Sequence, residues 1–218
     1  IRTSGTSVRV IVVVTTDKVY ESRSFDVPFT ESDRLGGADP YSSSKAAAEI
    51  LADSYYRSYL AQNGVSLATA RSGNVIGGGD WARHRLIPDA IRAWQLGRTL
   101  LVRNPDSVRP WQHVLEPLSG YLTLATELHH RNELHGEPFN FGPPGHQNHS
   151  VLELVQAMSR YWDQVRWEEF SDTVEQNHES GLLKLNCDKA LHHLHWEAVL
   201  PFSEKEVINC HFKFLGYK

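Results

Sequence analysis

The sequence predicts an α/β fold on a doubly wound parallel sheet, and three observations carry that prediction. The stretch VRVIVVVTT (8–16) is apolar and β-branched at successive rather than alternate positions, which suits a central strand covered by helices on both faces. Residues 40–62 are rich in Ala, Leu, Glu and Lys, begin on Pro40 and stop before Gly64, which marks a helix at both ends. VSLATAR (65–71) reads as a second buried strand, and strand, helix, strand in that order is the crossover unit of a parallel sheet.

The same reasoning places helices at 86–96, 115–129 and 151–162, the last opened by a capping box from Ser150 to Glu153. A second such box, Ser203 to Glu206, opens a terminal helix. Short strands at TLLV (99–102) and PFNFG (138–142) complete the alternation, with no internal repeat, low-complexity run or linker. The chain's 218 residues suffice to bury roughly 70% of the extended surface. A net charge of −4 without a Lys/Arg block argues against a nucleic-acid surface, while an arginine pair can still serve a small anion. The longest apolar run, 8–14, contains Arg9 and falls far short of the roughly 20 residues a membrane-spanning helix needs. Cys187 and Cys210, in a chain without a signal-like segment, read as ordinary thiols in a reducing cytoplasmic setting.

Ligands of open α/β sheets bind beyond the carboxyl ends of the strands, and Thr16, Asp17 and Lys18 sit at such an end. A solvated turn is the plainer alternative for those three residues. Tyr41 and Lys45 lie four apart at the start of the expected helix, so both project from one face. An ammonium near a phenol favours phenolate, which makes a base for a sugar hydroxyl. The histidine-rich positions 192–195 lack a carboxylate or cysteine at zinc-site spacing and read as a solvated helix end, so no metal is expected.

TTDKVYE, DPYSSSKAAAE, ARSGNVIGGGDWARHRLIPDAIRAW, VRNPDSVRPWQHVLEPLSGYL and FNFGP together resemble the CDP-glucose 4,6-dehydratases of the extended short-chain dehydrogenase/reductase superfamily, over about 12–144. The resemblance implies a partial Rossmann-like sheet with a smaller C-terminal substrate-binding domain. Residues 1–75 would be the C-terminal portion of the NAD-binding domain, and 76–218 mainly nucleotide-sugar-binding, with segments near 112–142 returning to the sheet. It also implies NAD as cofactor, held in part by Thr15, Tyr41 and Lys45, and CDP-glucose as substrate, held by Asn74, Arg103 and Arg109. In that picture Tyr41 deprotonates the C4 hydroxyl, Thr16 hydrogen-bonds the oxygen being oxidised, and Asp17 and Lys18 act as acid and base in the elimination of water across C5 and C6. Relatives acting on dTDP-glucose carry Asp-Glu where this chain has Asp17 and Lys18, so an amine occupies the base slot and needs burial or a nearby cation to serve. Asp17, to be an acid, must have its pKa raised.

Two departures accompany these matches. No Gly-x-Gly-x-x-Gly turn for a pyrophosphate follows any strand, the chain opens on Ile1 and its single methionine is Met158, so a preceding nucleotide-binding segment is expected upstream. Without it, the chain is expected to bind NAD weakly and to self-associate along an exposed sheet edge. Leu194-His195-Trp196 stands where such relatives have Leu-Gly-Trp, and no terminal Trp-Tyr pair occurs. The expected activity serves deoxysugar and O-antigen synthesis in a cytoplasmic homodimer. The alternatives are an inactive remnant of such an enzyme, or a dehydratase or epimerase of another nucleotide sugar.

Overall fold

The structure is a computed structural model that describes residues 7–23, 27–145, 147, 149–160, 165–169 and 184–200. Its centre is a three-stranded parallel sheet in the order β1 (Val10–Val14), β2 (Ser66–Ser72) and β7 (Pro138–Phe141), with Val10 opposite Ser66 and Ser72 opposite Phe141. Helix α1 (Pro40–Tyr55) makes the crossover from β1 to β2, as the strand, helix, strand reading requires.

Why the strand is apolar at every position follows from what each face meets. Ile11 and Val13 pack with Leu60, Val65, Leu67, Ala52 and Tyr56 on one side. Val10 and Val12 pack on the other against Leu124 and Leu128 of α3 (Leu115–His130), together with Ala68, Ala70, Phe139 and Phe141. Gly120 permits the close approach of α3 to β7: a Cβ there would stand 2.3 Å from the Phe141 ring.

The exposed sheet edge expected of this chain lies at the first strand. Among the described residues β1 pairs with β2 alone, its first four residues are only half-buried, and Val14 is 48% exposed. Two apolar faces made the strand look central, but a strand needs two paired edges as well, and its own sequence says nothing about those.

Helix α1 begins at an Asp39 cap, whose carboxylate accepts the Tyr41 and Ser42 amides at 2.9 and 3.0 Å. The helical run continues to Asn63, as expected, but its end is wound differently: a π turn over Tyr56–Leu60 and a 3₁₀ turn over Ala61–Asn63 precede Gly64 at φ +65°.

A second core lies beside the sheet. Helix α2 (Leu86–Gln95) contributes Ile87, Ala90, Ile91 and Trp94, and α4 (Val151–Ser159) contributes Leu154, Val155, Ala157 and Met158. The Ser150 capping box is formed with both of its hydrogen bonds, while the expected continuation of α4 beyond 160 reaches residues outside those described. So does the Ser203 box. Strand β4 (Leu100–Val102) pairs in parallel with β9 (Trp167–Glu169). Two-residue strands β3 (Val75–Ile76) and β6 (Gln112–His113), and β5 (Val108–Arg109) and β8 (His149–Ser150), join the two cores. Helix α5 (Asp188–Leu194) packs beside α3 on the same face of the sheet, over β7, through Ala190 and Leu194. No helix among the described residues is long and apolar enough to cross a membrane.

Candidate active site

Beyond the carboxyl end of β1 the chain turns through a short 3₁₀ segment, Asp17–Val19, which packs against α1. Asp17 is 5% exposed, and the Thr16 hydroxyl donates to its carboxylate at 2.9 Å. Burial pushes the Asp17 pKa up to about 6, against the opposing pull of the Thr16 hydroxyl and of the Lys18 and Arg109 charges. The loop after β2 closes over it, and Gly73 is required there: a Cβ would stand 2.8 Å from the Asp17 carboxylate and 3.6 Å from Pro110. The raised pKa that the sequence asked of Asp17 is thus a product of desolvation.

Lys18 differs. Its side chain is exposed, and its charge helps hold the Asp39 carboxyl below the usual carboxylate value after the larger effect of the Ser42 hydroxyl and helix amides. Lys18 therefore stands near the N-terminus of α1, but the burial expected of an amine base is not present.

Tyr41 and Lys45 are brought together as expected, with the ammonium 5.9 Å from the Tyr41 ring centroid. Tyr41 is 49% exposed. Arg109, on β5, is half-buried and close enough for its charge to act on Asp17. Asn74 is half-buried and its carbonyl accepts the Gln112 amide at 3.0 Å. Arg103 stands exposed in the turn after β4, in the lobe of the second core.

Thr15 is the residue the structure turns elsewhere. It is buried, its amide donates to the Ala70 carbonyl at 2.8 Å, and its hydroxyl donates to Glu49. A cofactor would find no donor on that side chain.

Sequence reasoning passed over what lies beneath. Glu49 of α1 accepts from both Nε and Nη2 of Arg71 on β2, at 2.9 and 2.5 Å, with both side chains 3% exposed. Arg71 also donates to the Tyr20 hydroxyl at 2.8 Å, and Tyr20 in turn donates to Asn140 at 2.7 Å. Asn140 donates to the Phe29 and Asn186 carbonyls at 3.0 and 3.1 Å, and its amide reaches Glu31. The signal was present in ATAR: a guanidinium inside a fully buried strand must find a carboxylate.

Cys187 is half-buried, donates weakly to the Gly142 carbonyl, and burial pushes its thiol up to about 12. Cys210 lies outside the described residues. Among those residues no group of three or more His, Cys, Asp or Glu could hold a metal ion.

Residues 1–142 match the model of the NAD dependent epimerase/dehydratase family. The chain is 42% identical, over 196 residues, to the CDP-glucose 4,6-dehydratase of Salmonella typhimurium, a match covering 87% of this chain and 54% of that protein. It is 26% identical to the human dTDP-D-glucose 4,6-dehydratase, over 88% of this chain and 53% of that one. Among solved structures, dTDP-glucose 4,6-dehydratase from Bacillus anthracis in complex with NAD superposes with a TM-score of 0.73 at 25% identity, covering 94% of this chain and 61% of that one. UDP-glucose 4-epimerase from Brucella ovis in complex with NAD gives 0.78 at 20% identity, over 96% and 66%, and speaks to the fold alone. The chain spans about half the length of the curated relatives it matches. With the family model covering well over half its residues, and a parallel sheet ending in this buried carboxyl, the chain belongs to the NAD dependent epimerase/dehydratase family.

Proposed function

We propose that this chain is the catalytic and sugar-binding part of a nucleotide-sugar 4,6-dehydratase whose substrate is CDP-glucose. The observation that carries the reading is Asp17, a carboxyl that burial holds protonated up to about pH 6 at the end of β1. Its support on substrate is the 42% identity to the Salmonella enzyme.

NAD, when bound, supplies an acceptor for the C4 hydride and a donor that returns it to C6. The residues present fit only one end of it: Tyr41 and Lys45 offer a phenol and an ammonium at the head of α1, while no glycine turn in the sequence would cradle a pyrophosphate. Tyr41 takes the C4 hydroxyl proton, and the neighbouring ammonium stabilises the phenolate. Thr16 orients the oxygen at C4. The C4 ketone acidifies the C5–H, so elimination needs that proton removed and another given to the departing C6 hydroxyl. Asp17 donates the latter and leaves as carboxylate beside Arg109. Lys18 accepts the C5 proton and gives it back to C5 as hydride returns to C6, which requires that substrate or further polypeptide cover its exposed amine. Arg109, with Arg103 and Asn74, takes the diphosphate and sugar.

Residues 1–75 form the sheet portion and 76–218 mainly the sugar-binding lobe, a division supported by the separate core around α2 and α4. The return of 112–142 to the sheet is supported by the packing of α3 and the pairing of β7. The active form is a cytoplasmic homodimer. The exposed Ile50, Leu51 and Tyr55 of α1 support the pairing, which light scattering tests. The function itself is tested by mass analysis of products after the full-length protein is given NAD and CDP-, dTDP-, GDP- or UDP-sugars. Loss of one water from CDP-glucose alone supports the reading; turnover of another nucleotide, or of none, overturns it.

A further inference from the structure

We propose that the buried fork between Glu49 and Arg71 is the positioning element that fixes α1 along its axis over the end of β1, and so sets where Tyr41 and Lys45 stand relative to Thr16 and Asp17. What that placement accomplishes rests on the dehydratase reading; the placement itself does not.

Little else registers the first half of the helix along its axis. Within Pro40–Tyr55 the buried residues are Ser42, Ala46 and Glu49, so along the half that carries Tyr41 and Lys45 the apolar contact is made by small side chains, the larger Tyr56 and Leu60 packing on the sheet only in the turn beyond the helix's end. Apolar burial is non-directional and, over small side chains, tolerates sliding. Glu49 does not. Its carboxylate accepts from Thr15 at the end of β1, from Thr69 at 3.3 Å, and from two nitrogens of Arg71 on β2. A slip of one residue, about 1.5 Å of rise and about 100° of rotation, would break all of these together. Arg71 is itself held by Tyr20 and by the Glu31 carbonyl, and its guanidinium lies 4.9 Å from the Tyr20 ring centroid. The network thus joins α1, β2 and the 15–31 segment that carries the acid.

Tyr41, Lys45 and Glu49 follow one another at four-residue spacing on one side of the helix, so an error at Glu49 is transmitted along a rigid rod of about 12 Å to the phenol. A buried ion pair is weak evidence for stability, because apolar residues of similar size often serve as well; fixing register is its better attested use.

The test separates position from stability. R71K keeps the charge and loses the fork. In the full-length protein with NAD and the accepted nucleotide sugar, it is expected to lower kcat about 10- to 100-fold with KM within about threefold, since a displacement near 1 Å costs on that order. In the same full-length protein, hydrogen exchange at 15–20 and 40–46 is expected to rise about tenfold over the rest of the sheet. The E49L/R71M variant is expected to fold and to show the same kcat loss. Unchanged kcat in R71K or in the folded double variant overturns the proposal. So does exchange that is unchanged or that rises uniformly along the chain. If the double variant does not fold, R71K decides. If the unaltered protein turns over no nucleotide sugar, the dehydratase reading has failed and the exchange pattern alone decides the positioning role.

Discussion

Replacing Asp17 by Asn probes the carboxyl on which the chemistry depends, and the structure fixes both the sign and the size of the effect. The folded pKa is about 6 against an ordinary 3.8, the cause being burial. A group whose folded pKa is raised binds its proton more tightly when folded, so its contribution to stability is complete below about pH 4 and is lost as pH rises through about 6. At about 1.4 kcal/mol per pH unit, the loss above pH 7 approaches about 3 kcal/mol. The introduced carboxamide cannot ionise, is nearly isosteric and can still accept from Thr16. The D17N chain should therefore match the parent near pH 4 and exceed it by about 3 kcal/mol at pH 8. Urea unfolding at half-unit pH steps measures this as the difference between the two chains, which cancels every other titrating group. A difference that is flat from pH 4 to 8, or that favours the parent at pH 8, would show that Asp17 is not desolvated and would remove the acid from the mechanism. The same substitution should abolish elimination, so that gained stability and lost activity appear in one variant.

Tyr41→Phe leaves the half-exposed ring in place and removes only the proton acceptor, so kcat in the full-length protein should fall about 10²- to 10⁴-fold with stability unchanged within about 0.5 kcal/mol. His195 caps α5 in the left-handed region at φ +52°, where a glycine would carry no Cβ penalty; His195→Gly should stabilise the chain by about 1 kcal/mol, read as a higher urea midpoint. Gly120→Ala drives a Cβ to 2.3 Å from a Phe141 ring that is fully buried and held against Trp196 at 4.9 Å, and should cost about 3 kcal/mol; a loss under about 0.5 kcal/mol would mean that α3 and β7 are not this close.

What the sequence disclosed, and what it withheld, divides along a physical line. The strand around Val12 was legible because every position is apolar and both faces of the sheet are covered, and the one around Ala68 because a short run of small and β-branched residues follows the helix. Helix α1 was legible through Pro40 and Gly64, which act locally. The two-residue strands pairing Val75 with Gln112 and Val108 with Ser150 were not, because so short a ladder leaves no period to read. The acid and the phenol could be named from their spacing and resemblance. Their environments could not, since burial of Asp17 depends on Gly73 and Pro110, far along the chain, as the exposure of Lys18 depends on what does not cover it. Glu49 escaped notice for a related reason: a glutamate in AAAEILA reads as solvated helix surface, and only Arg71, from a strand of its own, turns it inward.

The half-buried first strand then links fold to chemistry. β1 ends in Thr15, whose hydroxyl reaches Glu49, and in Thr16 and Asp17, whose contacts make the acid. Its inner edge is bound to β2 through five residue pairs, and its outer edge is unpaired among the described residues. A parallel strand carrying apolar residues on both faces is stable with partners on both sides. Thr16, Asp17 and Lys18 therefore follow a strand that is paired on one side alone among the described residues. The Glu49–Arg71 fork ties the end of that strand to α1 and β2 through side-chain hydrogen bonds, so the place of the acid does not rest on the pairing of β1 alone.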